Sequence, residues 1–223
     1  MIAVVGRVAG IPGEDGGVAG LAGSVALAAA GRGSRVELVA KLGDDPAGDR
    51  LLFALTRAGV GHAAILRDPA RSTPLGEATA SDGGADERAD EPSTDQLAEA
   101  PPDPNAARTS DLGLELAPGD LELALRYLTD ATVIVLADPV PGLVPVAVDG
   151  AGFTGAALVI LGAPGELPDE DAAPGATVFA SPGRDPGGAF AALVAEYAVE
   201  LDAGRDPGSA WAAAARRLGA EPA

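Results

Sequence analysis

Ala19-Gly20-Leu21-Ala22-Gly23-Ser24-Val25-Ala26-Leu27-Ala28-Ala29-Ala30, then Gly31 and Gly33, the run Val36–Leu42, and Gly43-Asp44-Asp45-Pro46 together decide the fold class of this chain. The first twelve residues are small or apolar and carry no breaker, which predicts a tightly packed helix with glycines just past its end. Val36–Leu42 is an apolar run of strand length. Gly43-Asp44-Asp45 supplies a turn and an Asp cap, and Pro46 opens a second helix with Leu51, Leu52 and Leu55 on its apolar face and Gly59 as its stop. Helix, strand and helix in succession imply parallel βαβ units.

Outward from that core the alternation continues. Ile2–Val5, ending at Gly6, reads as a buried strand, and Gly10 to Gly17 as a glycine-rich loop. Ala63–Leu66 is a third, weaker strand. Asp68 to Asp111 breaks the pattern, because acidic residues, Ser, Gly, Pro and Ala fill it and nothing there packs a core. Composition predicts a mobile acidic insert, with a functional acidic arm as the alternative. Pro118, Asp120 and Glu122 mark the next helix start, with Leu121, Leu123, Leu125 and Leu128 as its apolar positions. Thr132–Leu136, Ala157–Leu161 and Thr177–Phe179 are strands. A short helix near Gly142–Val148 is limited by Pro145, and two helices over about Gly187–Leu201 and Pro207–Leu218 close the chain. The expected fold is a single three-layer α/β domain over 1–223 with a mostly parallel sheet.

Composition removes several function classes. A formal charge of −18 repels phosphate backbones and anionic lipid, so neither nucleic acid nor membrane is an expected partner. The absence of cysteine excludes disulfides and thiolate chemistry. Met1-Ile2-Ala3-Val4-Val5-Gly6 lacks a basic leader, and no apolar run reaches a membrane span, so a cytoplasmic setting is expected. Lys41 is the only lysine among fifteen basic residues, and His62, the only histidine, has no partner motif. No metal-ligand cluster or Walker-type G-K-[ST] is present.

The stretch from Ala19 to Gly33, followed by Val36–Leu42 and Gly43-Asp44-Asp45-Pro46-Ala47-Gly48, resembles the first signature of the ribokinase-like (PfkB) carbohydrate kinases. Thr73-Pro74, the segment Leu116 to Leu136 and Gly162-Ala163-Pro164-Gly165-Glu166-Leu167-Pro168 fit the same family. Asp185-Pro186-Gly187-Gly188-Ala189-Phe190 falls where the family carries G-A-G-D-A-F. The resemblance implies transfer of phosphate from ATP, with Mg²⁺, to a sugar or nucleoside hydroxyl. It places Gly20, Gly23 and Ser24 at the substrate and Gly187, Gly188 and Ala189 at an anion hole on a helix N-terminus.

The departures carry the functional expectation. The family's general-base aspartate is replaced by Gly188, and losing a general base costs about 10²–10⁴ in rate. Pro186 removes an N–H donor, worth about another 10²–10³, and Asp185 brings a negative charge to a place meant for phosphate. Ser24 stands where the family has a substrate Asn. The gap between the first strand and the glycine-rich helix is too short for the usual lid strands, which are expected to be missing or disordered, and the N-x-x-E element is absent. Each residue also has a plainer role: Gly20 and Gly23 in close packing, Gly43-Asp44-Asp45 as turn and cap, Asp185 as helix cap, Trp211 as a docking residue. Three readings follow: a kinase-like protein with weak or lost catalysis, an active divergent kinase using Asp185 or Asp138 as base, or a non-catalytic partner subunit. The shortened sheet adds one expectation. The closing helices either fold back over an exposed sheet or make a homodimer contact, the latter somewhat favoured.

Overall fold

A computed structural model describes residues 1–12, 17–76, 114–140, 142–183, 185 and 187–219. The strands are β1 (Ile2–Val5), β2 (Ala9–Ile11), β3 (Gly17–Ala19), β4 (Val36–Gly43), β5 (Val60–Asp68), β6 (Val133–Ala137), β7 (Ala157–Gly162) and β8 (Thr177–Ala180). The helices are α1 (Leu21–Ala30), α2 (Pro46–Arg57), α3 (Pro118–Tyr127), α4 (Leu143–Thr154), α5 (Ala189–Asp202) and α6 (Pro207–Arg217). Six strands form one parallel sheet in the order β5-β4-β1-β6-β7-β8.

The strand sequences explain their positions. Strand β1, Ile-Ala-Val-Val, is buried at every residue because it lies mid-sheet with helices on both faces, and so it shows no polar alternation. Ile2 and Val4 point into one core with α1, α2, α5 and α6. Ala3 and Val5 point into a second core with α3 and α4. Helix α1 is apolar on nearly all sides because it is wedged between the sheet and α5. Each fully buried Leu, Ile or Val in these cores contributes about 1.5–3 kcal/mol relative to exposure.

The structure corrects the sequence reading in several places. The flanks of the Gly10–Gly17 loop pair as the antiparallel ribbon β2–β3, and Gly10 exchanges backbone hydrogen bonds with Pro74 and Gly76. The interval between β1 and α1 therefore does hold a short pair of strands, although lid strands were expected to be missing there. Backbone pairing across three residues needs no apolar signal, so composition did not reveal it. Helix α4 runs to Thr154, well past Val148, because Pro145 sits in its first turn, where the missing N–H has no intrahelical partner to lose. Strand β5 extends from Val60 to Asp68, beyond the Ala63–Leu66 core of its pattern. The segment from Asp68 stays ordered through Gly76, and Thr73 is buried. The rest of the acidic stretch, 77–111, lies outside the described residues.

At the far edge the closing helices take the fold-back route. Trp211 of α6 stacks on Phe179 of β8 with ring centroids 5.5 Å apart, and Tyr197 of α5 meets both rings edge-on. The Tyr197 hydroxyl lies 2.9 Å from Thr177 Oγ1, which ties α5 to the edge strand.

Candidate functional site

Gly43-Asp44-Asp45 forms a knot that fixes the rim of the sheet. Asp45 caps α2: its Oδ1 accepts from the Gly48 N–H and the Thr73 hydroxyl, both at 2.8 Å, and its Oδ2 accepts from the Thr73 N–H at 2.8 Å. Partial burial pushes the Asp45 carboxyl up, but these bonds and the nearby Arg67 outweigh it and hold the carboxyl below its usual range. Both glycines of the motif are steric requirements. A Cβ on Gly43 would come within 2.5 Å of the Arg71 carbonyl oxygen, and one on Gly48 within 2.5 Å of the Gly43 carbonyl oxygen. The motif thus clamps the end of β4, the start of α2 and the Thr73 segment together, as the turn-and-cap reading anticipated.

Strand order reverses between β1 and β6. In open α/β sheets this is where a crevice opens beyond the carboxyl ends of the strands. A cavity of about 1500 Å³ lies there, and its wall includes Arg7 after β1, Asp138 after β6, Glu166 after β7 and Ser24 on α1. Asp138 is the only non-glycine residue with positive φ among the described residues, at 46°. Such a left-handed backbone is uncommon outside Gly, Asn and Asp and marks functional positions more often than average. Burial pushes the Asp138 carboxyl above its ordinary value; the charge of Arg7 pulls it part of the way back, and that of Glu166 adds to the rise. Arg7, Lys41 and Asp138 also line a smaller neighbouring recess together.

The N-terminus of α5 closes another side of the cavity. Gly188 is the N-cap, with Gly187 before it, and both have positive φ. Asp185 is therefore not the cap residue itself, yet its carboxylate does the capping work from three positions upstream. One oxygen accepts from the Phe190 N–H and the other from the Ala191 N–H, each at 2.9 Å. A helix N-terminus presents these N–H groups to anions, and here the chain's own carboxylate has taken two of them. As it stands, this turn does not fit a phosphoryl group. Among the described residues no group of three or more His, Cys, Asp or Glu is placed to hold a metal ion.

The other expected site residues divide. Gly20, Ser24, Asp185, Gly187 and Gly188 line the one cavity, so residues some 160 positions apart in sequence do come together. Gly23 is buried behind it, and a Cβ there would meet the Val18 side chain at 2.5 Å, which is a packing requirement. Ala189 is the first residue of α5. Pro186 lies outside the described residues. Arg7 and Glu166 were not singled out by the sequence. The available signal was positional, since each follows closely on a strand that flanks or neighbours the reversal point.

No protein-family model matches the sequence, and no curated protein matches it. Solved structures do match. The crystal structure of Sa239 superposes with a TM-score of 0.63 at 11% identity, over 97% of this chain and 92% of that one. The PfkB protein from Polaromonas sp. JS666 gives 0.51 at 16% identity, over 98% of this chain and 74% of that one. An uncharacterized sugar kinase from Pyrococcus horikoshii, solved in complex with ATP, gives 0.49 at 14% identity, and the chain spans 61% of its length. No helix among the described residues is long and apolar enough to cross a membrane. At these identities the likeness speaks to fold: this chain has the three-layer α/β/α architecture of the PfkB-family sugar kinases.

Proposed function

We propose that this chain is a PfkB-type carbohydrate-kinase-like protein, cytoplasmic, in which ATP-dependent phosphorylation of a sugar or nucleoside hydroxyl is weak or lost. The observation that carries the reading is the start of α5. Gly188 stands in the position of the base, and the Asp185 carboxylate holds the Phe190 and Ala191 N–H groups that would otherwise face an incoming anion. The fold and the crevice at the strand reversal support a retained ligand pocket, with Gly20 and Ser24 on its substrate wall, Gly23 supporting them from behind, and Gly187, Gly188 and Ala189 at its anion side. ATP and Mg²⁺ belong to this reading only through the resemblance. Purified protein is expected to show no sugar-dependent ATP turnover above background across a panel of sugars and nucleosides, with Gly188→Asp restoring none. Robust turnover that persists in Asp138→Asn and disappears in Asp185→Asn would overturn the proposal.

A second reading, an active divergent kinase, is favoured by one observation. Asp138 is half-buried at the end of a central strand, in a left-handed backbone, with its carboxyl pushed toward the neutral form. That is the setting in which a carboxylate gains basicity. Turnover abolished by Asp138→Asn would select this reading.

A further inference from the structure

In the C-terminal half of α5, away from the cavity and toward the amino ends of the strands, two carboxylates are buried, Glu196 and Glu200, whose side chains are 2% and 5% exposed. Arg32, from just past the end of α1, engages one oxygen of Glu196, and Arg217 of α6 reaches the other at 2.7 Å. Arg217 also approaches Glu200 at 3.4 Å, and Arg205, in the turn between α5 and α6, pairs with the same carboxylate. Arg216 extends into the same region, exposed and in no ion pair among the described residues. A recess of about 250 Å³ is lined by Arg205, Arg216, Arg217, Glu200 and Ala213.

Charge counting makes this cluster unusual. Two buried carboxylates are neutralised by two cations, and four guanidiniums are gathered here, which leaves a surplus of two. The surplus stands on a chain whose net charge is −18 and which has only fifteen basic residues in all. The other acids nearby are engaged elsewhere: Asp202 by the Met1 amino group and the Thr132 hydroxyl, and Asp206, next to Arg205, by the Ser209 N–H as the cap of α6. The glutamates also orient the cations. Arg205 is held through its Nε, which leaves its terminal nitrogens for another acceptor, and its side chain is half exposed. Guanidinium forks fixed by buried carboxylates are suited to a tetrahedral oxyanion, which they bind bidentately.

We infer that this recess between α5 and α6 is a binding site for a phosphate dianion, either free or carried by a small metabolite, separate from the crevice at the strand reversal. The inference does not depend on the kinase reading. The test measures saturable binding of inorganic phosphate, pyrophosphate and ribose 5-phosphate to the full chain by calorimetry and by the shift in melting midpoint. Arg216→Ala and Arg205→Ala should each weaken binding by about ten-fold or more. Arg216→Ala should leave the midpoint of the free protein unchanged, and the surface control Arg126→Ala should leave binding unchanged. Preference for inorganic phosphate would assign the site to the free ion, and preference for ribose 5-phosphate to a phosphorylated metabolite. Absence of saturable binding by all three probes, or binding unaltered in Arg216→Ala, would reduce the cluster to a helix-pinning ion network and overturn the proposal.

Discussion

Asp138 combines two costs that a purely structural residue would not need: a left-handed backbone at φ 46° and a half-buried carboxyl that feels the charge of Glu166. Burial, opposed by Arg7 and reinforced by Glu166, raises its folded pKa above the ordinary value of 3.8. Below about 3.9 the carboxyl is protonated in both folded and unfolded chains and has no effect on stability. As pH climbs through the raised folded value, ionisation in a poorly solvating site destabilises the native state. Asp138→Asn, which keeps the shape and tolerates the left-handed backbone, is therefore expected to raise the melting midpoint at pH 7, with the gain vanishing below about pH 3.9. Equal midpoints for both proteins at pH 7 would show that the carboxyl is not strained. Asp45 lies on the other side of the same physics: its bonds to Gly48 and Thr73 favour the ionised form, so its contribution is present at neutral pH and lost on acidification.

Helix α5 shows how one side chain sets the properties of a whole element. Its first turn has no Ser, Thr, Asn or Asp at the cap, only Gly188, and no acidic residue inside the turn. The Asp185 carboxylate reaches over from outside and supplies both the acceptor and the negative charge that the turn lacks. Asp185→Ala should destabilise the protein by about 1–2 kcal/mol, read as a lower denaturant midpoint at unchanged slope. Asp185→Asn should lose less, because it keeps one acceptor oxygen. If Asp185→Ala is as stable as the parent, the carboxylate is not the cap. The same helix carries Glu196 and Glu200 on a buried face, where each is matched by arginine before it can be tolerated.

The whole molecule has a sheet with two edges, and they are finished differently. On β5, His62 is exposed, while Arg67 is paired with Asp44 and Asp49 and Asp68 with Lys41. On β8, residues 172–183 carry no charge at all, and the cover comes from Trp211 on Phe179. Trp211 is 40% exposed, so this cover is partial. Trp211→Ala should destabilise the chain by about 1–3 kcal/mol through lost stacking and burial, with any ATP turnover unaffected. Light scattering checks the homodimer alternative: a dimer that this substitution dissociates would move the patch from internal cover to interface, and its midpoint would depend on protein concentration.

Local sequence patterns were enough for the alternation of strand and helix, the glycine-flanked α1, the Asp45 cap and the glycine pair Gly187-Gly188 before α5. Apolar runs, caps and breakers act over a few residues, and a single sequence displays them directly. It did not reveal the β2–β3 ribbon, the full length of α4, or the cavity that joins Ser24 to Asp138 and Asp185. Those features depend on contacts between segments far apart in the chain. Strand order is set by which apolar faces pack together, and the reversal between β1 and β6 brings Arg7 and Asp138 side by side from positions 131 residues apart. The raised pKa of Asp138, the capture of the α5 N–H groups by Asp185 and the surplus charge beside Glu196 and Glu200 arise from burial and distance, and neither quantity exists until the chain has folded.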